Sequence, residues 1–163
     1  MTDYSIVERE ATPYVAIRES ARISELAEVM VPLGGELSGW LAQRGLTPDG
    51  PLFWRYLVID MDHELLIEVG VPLGADAVGD DRVSAGVLPA GRYATVVHHG
   101  HPDSLVAATA GLLEWGDQQG VSWDKVDVDG AERWVCRLEN YLSDPLEEPD
   151  MSSWRTELAF KIH

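Results

Sequence analysis

An α+β protein built from two strand-helix-strand-strand halves is the fold the sequence predicts, and three observations carry that expectation. The order of apolar patterns in roughly the first 80 residues returns in residues 81 to 163. Each half holds one helical pattern that stops at a glycine, Gly45 or Gly120. Landmarks recur between the halves, pairing Tyr14 with Tyr93, Trp40 with Trp115 and Glu68 with Glu157. The offsets between these pairs differ, so the shared order of elements weighs more than the identities. The expectation is a single domain over residues 1–163 with pseudo-twofold symmetry and a central ligand cleft along the seam.

The elements follow from local chemistry. Residues 5 to 20 alternate and are β-branched, predicting a strand broken near Pro13. Ser24 is placed to cap a helix over 24–44, where Leu26, Met30, Leu33, Leu37, Trp40 and Leu41 recur at threes and fours. Pro32, Gly34 and Gly35 predict a kink or interruption in its middle. After the turn Pro48-Asp49-Gly50-Pro51, strands are expected from Phe53 to Asp60 and from Leu65 to Leu73. Arg82 to Val97 reads as extended and bent at Pro89-Ala90-Gly91, and His101-Pro102-Asp103-Ser104 opens a second helix over 103–119. Two strands, Trp134 to Leu142 and Trp154 to Ile162, complete the second half around the acidic loop 143–150.

The 163 residues and 45% hydrophobic content supply enough apolar surface for a core without staples. A formal charge of −16 repels phosphate backbones and anionic headgroups, so nucleic acid and membrane surfaces are excluded as expected partners and cationic small molecules are favoured. Cys136 stands alone, and neither a signal peptide nor an apolar run near the roughly 18 residues of a span is visible, so a cytoplasmic location is expected. Six Trp and five Tyr against two Phe suggest half-wet, ligand-stacking surfaces as well as core.

The strand Arg133–Leu142 is the best candidate for chemistry. Period-two geometry puts Arg137, Glu139 and Tyr141 on one face and Cys136, Leu138 and Leu142 on the other. The polar face looks either into solvent or into a cleft. Among Tyr141, Trp154 and Trp115, the Glu139 carboxylate would attract flat cations strongly. Glu68 lies opposite Leu65, Ile67, Val69 and Val71, which reads as a solvated strand face or a cleft position. His98, His99 and His101 lack the spacing and partners of a zinc site, so no metal is expected, and no cofactor loop or nucleophile elbow is present.

Several motifs form a recognisable frame: Pro13-Tyr14-Val15 to Gly70-Val71-Pro72, Leu88-Pro89-Ala90-Gly91-Arg92-Tyr93, and His99-Gly100. The Glu139-x-Tyr141-x-x-Asp144-Pro145 run and Trp154-x-Thr156-Glu157-Leu158 are its most specific part. Over nearly its whole length the sequence resembles the GyrI-like small-molecule-binding domain, which includes the effector-binding half of bacterial multidrug-responsive regulators. The resemblance implies a central pocket with aromatic walls and a buried acid that meets lipophilic cations. Carried onto this chain, the acid is Glu139 and the aromatics are Tyr141, Trp154, Trp115 and Tyr56, with Glu68 at an often acidic position. Regulators of this kind carry a DNA-binding domain before the effector half, whereas this frame begins almost at Met1, so a stand-alone binder is expected.

Three functions stay open at this stage. The first is a multidrug-binding protein that sequesters planar aromatic, often cationic compounds and so confers resistance. The second is a hydrolase opening the cyclopropane of DNA-alkylating natural products, with Glu139 and Tyr141 as its catalytic pair. The third is a DNA gyrase-interacting protein whose acidic surface mimics DNA.

Overall fold

The computed structural model describes residues 3–74, 77–144 and 147–163. Its elements run β1 (Ser5–Arg9), β2 (Thr12–Ala21), α1 (Leu26–Gln43), β3 (Phe53–Ile59), β4 (Leu65–Pro72), β5 (Ser84–Leu88) and β6 (Gly91–His99). Then come α2 (Leu105–Gln118), β7 (Lys125–Val128), β8 (Ala131–Trp134), β9 (Arg137–Tyr141) and β10 (Arg155–Ile162). The fold is α+β, as expected, with the strands in one antiparallel sheet of order β1-β6-β10-β9-β3-β4-β2-β5. The β7–β8 hairpin attaches beside this path, through β8 on β3.

Outward from the β3–β9 seam, one half supplies β3, β4 and β2 and the other supplies β9, β10 and β6. The two edge strands are exchanged: β5 closes the first half and β1 the second. This repeated order is what a duplicated unit produces, while a spatial twofold axis remains an expectation.

Both helices end in the same way. Gly45 and Gly120 take φ of 66° and 74°, a left-handed conformation that glycine adopts without a Cβ penalty. Gly45 N–H donates to Ala42 O and Leu46 N–H to Leu41 O, and the identical pair of bonds forms from Gly120 and Val121 to Asp117 and Gly116. These are Schellman closures, which satisfy carbonyls that the helix leaves unpaired.

The predicted interruption at Pro32 does not occur, because α1 runs unbroken through it. Met30, Leu33, Leu37, Trp40 and Leu41 are buried against β2 and β4, and that packing outweighs the one backbone bond proline removes. Ser24 does not cap the helix either: it lies inside a 3-10 turn, Ile23–Glu25, that leads into α1. The strand expected from Trp134 to Leu142 is two strands, β8 and β9, divided at Val135 and Cys136. The reason is a register irregularity in β3 between Tyr56 and Val58, which forces its partner to pair with β3 in two separate pieces.

Alternation along the strands sorts the core into two layers. On the helix side, α1 covers β2 and β4, and α2 covers β6 and β10. On the reverse side, Tyr14, Phe53, Leu88, Tyr93, Cys136 and Leu138 form a separate apolar cluster without a helix.

Candidate ligand cleft

Register explains why Glu139 is unusual. On the helix side, cross-strand partners form the row Ile17, Val69, Trp54, Glu139, Leu158 and Val96. Glu139 is the single acid in an otherwise apolar row. Its flanking partners are Trp54 and Leu158, neither of which carries charge.

Trp54 and Glu139 of this row reach the floor of a cleft of about 1320 Å³ between α1, α2 and the segment around Trp154. Tyr56, Arg137, Glu139, Tyr141, Trp54 and Trp154 line this floor, so the structure brings together four of the six candidate residues. Tyr141 Oη donates to Glu139 Oε1 at 2.6 Å, and Trp54 meets the Tyr141 ring edge to face at 5.7 Å. Trp154 is anchored by its indole N–H, which donates to Glu148 O at 2.6 Å. Pro145 and Leu146, part of the acidic loop and of the Glu-x-Tyr-x-x-Asp-Pro run, lie outside the described residues.

Burial pushes the Glu139 carboxyl above the usual carboxylate range, and the pull of Tyr141, Tyr56 and Arg137 in the opposite direction does not cancel it. The Tyr141 phenol is held well above its ordinary value, first by burial and then by the Glu139 charge, so it stays protonated and donates. Around the mouth, Ile23, Val31, Met61, Val106 and Met151 are exposed apolar side chains that also line the cleft. Clustered exposed apolar surface beside a concavity is a mark of a binding site, unlike such residues scattered singly.

The two remaining candidates lie elsewhere. Trp115 on α2 stacks on Tyr4 at 5.3 Å and 16°, packed against the apolar cluster beneath α2. It turns toward β1 and does not line the cleft. Glu68 projects to the reverse face, where it is neither solvated nor in the cleft. There Tyr14 Oη donates to Glu68 Oε1 at 2.7 Å, with Arg18 Nη2 at 3.2 Å and Arg55 Nη1 at 3.3 Å. Trp54 and Arg137 are floor residues that counting aromatics and acids did not single out. The paired strand position of Trp54 reveals it only once register is known.

Among the described residues, no group of three or more His, Cys, Asp and Glu is placed to hold a metal ion. His98 and His101 serve the backbone instead: His98 Nε2 lies 3.2 Å from His101 O, and His101 Nδ1 accepts the Asp103 N–H that starts the turn into α2. No helix among the described residues is long and apolar enough to cross a membrane.

The GyrI-like small molecule binding domain matches residues 2–163. The chain belongs to the GyrI-like family. None of the curated proteins matches it. Among solved structures, the EcmrR C-terminal domain superposes with a TM-score of 0.78 at 20% identity, over 100% of this chain and 98% of that one. In the EcmrR–DNA complex the match covers 99% of this chain but 57% of EcmrR, so the chain spans little more than half that protein's length. SAV2435 bound to tetraphenylphosphonium gives a TM-score of 0.65 at 12% identity, covering 99% and 94%. A hydrolase from Listeria innocua gives 0.61 at 14%, covering 98% and 91%. At these identities the likeness speaks for the fold, and the family match identifies a small-molecule-binding domain.

Proposed function

We propose that this GyrI-like domain binds planar aromatic, cationic compounds in the cleft between α1 and α2 and thereby sequesters them. The observation that carries the reading is Glu139: a buried carboxylate in an apolar row, hydrogen-bonded by a tyrosine hydroxyl and flanked by Trp54 and Leu158. A buried charge is expensive unless paired, so the site gains most from a ligand that brings a cation. Tyr56, Tyr141, Trp54 and Trp154 supply flat faces, each cation–π contact contributing about 0.5–2 kcal/mol. Flat aromatic faces and apolar walls impose few directional demands, which favours breadth of ligands over a single one. That a neighbour of this fold is bound to tetraphenylphosphonium, a lipophilic cation, supports the reading.

The test is calorimetric titration with tetraphenylphosphonium and with a neutral aromatic of similar size, on the wild type and on Glu139→Gln. The expected result is saturable binding of the cation that the substitution weakens, with the neutral compound little affected. Equal losses for both compounds would remove Glu139 as the charge partner.

A second reading rests on the same atoms. The Tyr141–Glu139 pair at 2.6 Å joins a proton donor to a base, and one neighbour is a hydrolase. Here a bound cyclopropane-bearing compound is opened by water. Overnight incubation of any binder followed by mass analysis separates the readings, since product appears only with turnover. Absence of any small-molecule binding would turn attention to a protein partner such as gyrase.

A further inference from the structure

Arg137 lies two residues before Glu139 on β9, on the same face and in the same cleft. Strand geometry separates the two positions by about 7 Å. The guanidinium is largely buried, its side chain 13% exposed, and it stands over three rings: Phe160 at 4.5 Å, Trp134 at 5.0 Å and Tyr56 at 5.7 Å. Those rings hold the planar group by its faces, leaving its N–H edges for hydrogen bonds.

Those edges find little to bond. Among the described residues its ion-pair contact is with Glu132 Oε1 at 3.7 Å, beyond hydrogen-bond distance. Glu132 is itself engaged by Lys125 Nζ at 3.0 Å and by the Trp134 indole N–H at 3.0 Å. Arg55, the comparable arginine of the reverse face, donates through its Nη atoms to Tyr14 Oη, Glu68 Oε1 and Val135 O, and keeps only a buried Nε without a partner. Burial pulls the Arg137 guanidinium below its ordinary value, yet arginine remains charged at any working pH. The cleft floor therefore carries a carboxylate and an under-bonded guanidinium side by side.

We infer that the cleft prefers aromatic ligands bearing both a cationic and an acidic group, the cation meeting Glu139 and the carboxylate accepting from the Arg137 fork. This deepens the reading above and rests on it. A ligand with a cation alone satisfies Glu139 but leaves the Arg137 donors unmet and feels that like charge nearby. A zwitterionic aromatic satisfies both, and arginine presents a carboxylate with two parallel donors.

Rhodamine 6G and rhodamine 19 make the comparison directly, being the ethyl ester and the free acid of one xanthene cation. Fluorescence anisotropy at neutral pH gives both affinities, and their ratio within one protein cancels differences in folding. The expected wild-type result is a preference of about tenfold for the acid, the scale of a charge-assisted hydrogen bond. Arg137→Met should abolish that preference, read as the acid-to-ester ratio within the variant, and Arg137→Lys should keep part of it. Ester binding equal to or tighter than acid binding in the wild type overturns the inference while leaving the cleft as a cation site. A preference that survives in Arg137→Met overturns it too, because the acid is then held by another group. Binding of neither dye to the wild type removes the reading of the cleft and this inference together. Should Arg137→Met fail to fold, the wild-type ratio and Arg137→Lys still decide.

Discussion

Two carboxylates are buried at the centre of this sheet, one on each face, and their strand neighbours make them opposites. Glu68 on the reverse face has Arg18 and Arg55 as its cross-strand partners, and both reach it at 3.2–3.3 Å while Tyr14 donates at 2.7 Å. Glu139 on the helix face has Trp54 and Leu158 in the equivalent places, with hydroxyls of Tyr141 and Tyr56 toward it and Arg137 acting on it through its charge without an ion-pair contact. Glu68 is closed by the protein's own cations. Glu139 is held in a desolvated, raised-pKa condition beside an open cleft, an arrangement that lowers the empty protein's stability and fits the proposed role of meeting a cationic ligand. The difference teaches that burial alone does not mark a candidate binding acid: what matters is whether the fold already places a counter-charge in contact with it, as it does for Glu68.

The largest effect expected from breaking this contrast is on the reverse face. Glu68→Gln leaves Arg55, whose side chain is 13% exposed, without its anion, and removing one partner of a buried pair costs roughly 3–5 kcal/mol. Urea unfolding should show that loss, while the relative affinities of cationic and neutral ligands stay as in the wild type. A stable Glu68→Gln protein with altered ligand preference would place Glu68 in the binding machinery after all.

Next in size is the mirror experiment. Glu139→Gln should cost a cationic ligand about 1.5–3 kcal/mol of binding, the scale of a hydrogen bond to a charged group, and should leave the empty protein as stable or more stable at pH 7. The sign follows from linkage. A carboxyl whose folded pKa is raised binds more protons folded than unfolded, so stability falls as pH rises through the interval above the ordinary glutamate value. The glutamine variant lacks that decline. Thermal melts of the two proteins from pH 4 to pH 8 should therefore diverge in favour of Glu139→Gln as pH increases. Parallel melting curves would mean that Glu139 is not strained by burial.

Much of this architecture was legible in the sequence, because helices and strands announce themselves through period and punctuation. The glycines closing both helices and the common face of Arg137, Glu139 and Tyr141 follow from local rules, whereas the break in the first strand falls at Glu10 and Ala11 and Pro13 is paired within β2. The β7–β8 hairpin lies outside the predicted elements although an Asp-Gly turn signal is present: Asp129 and Gly130 both take positive φ, 52° and 83°, at a two-residue turn. The site was harder to read for a geometric reason. Alternation puts Glu68 opposite an apolar set but cannot say that Phe53, Tyr93 and Leu138 cover the other face as well. Its partners Arg18 and Arg55 lie 50 and 13 residues away, and only the register brings them alongside. Trp115 lies outside the cleft lining for a related reason, since helical spacing gives a face but not the neighbour, here Tyr4, that the face meets.

The smallest expected effect is also the most discriminating, because it touches the hydrogen bond that Tyr141 gives Glu139. Tyr141→Phe deletes the 2.6 Å hydrogen bond to Glu139 Oε1 while keeping the ring that meets Trp54. That bond stabilises the ionised carboxylate, so without it the Glu139 pKa should rise further and cation binding should need a higher pH. Once the carboxylate is fully ionised, however, it has one donor fewer and turns more completely to the ligand. The affinity-against-pH curves of wild type and Tyr141→Phe should therefore converge or cross: the variant is weaker at mildly acid pH by a few-fold, and equal or slightly tighter at the alkaline end. Titrations with a permanently charged cation such as tetraphenylphosphonium isolate the effect, since only the protein titrates. A loss of the same size at every pH would show that the Tyr141 hydroxyl contacts the ligand itself, and the contrast between a self-satisfied acid and a waiting one would then extend to a hydroxyl as well.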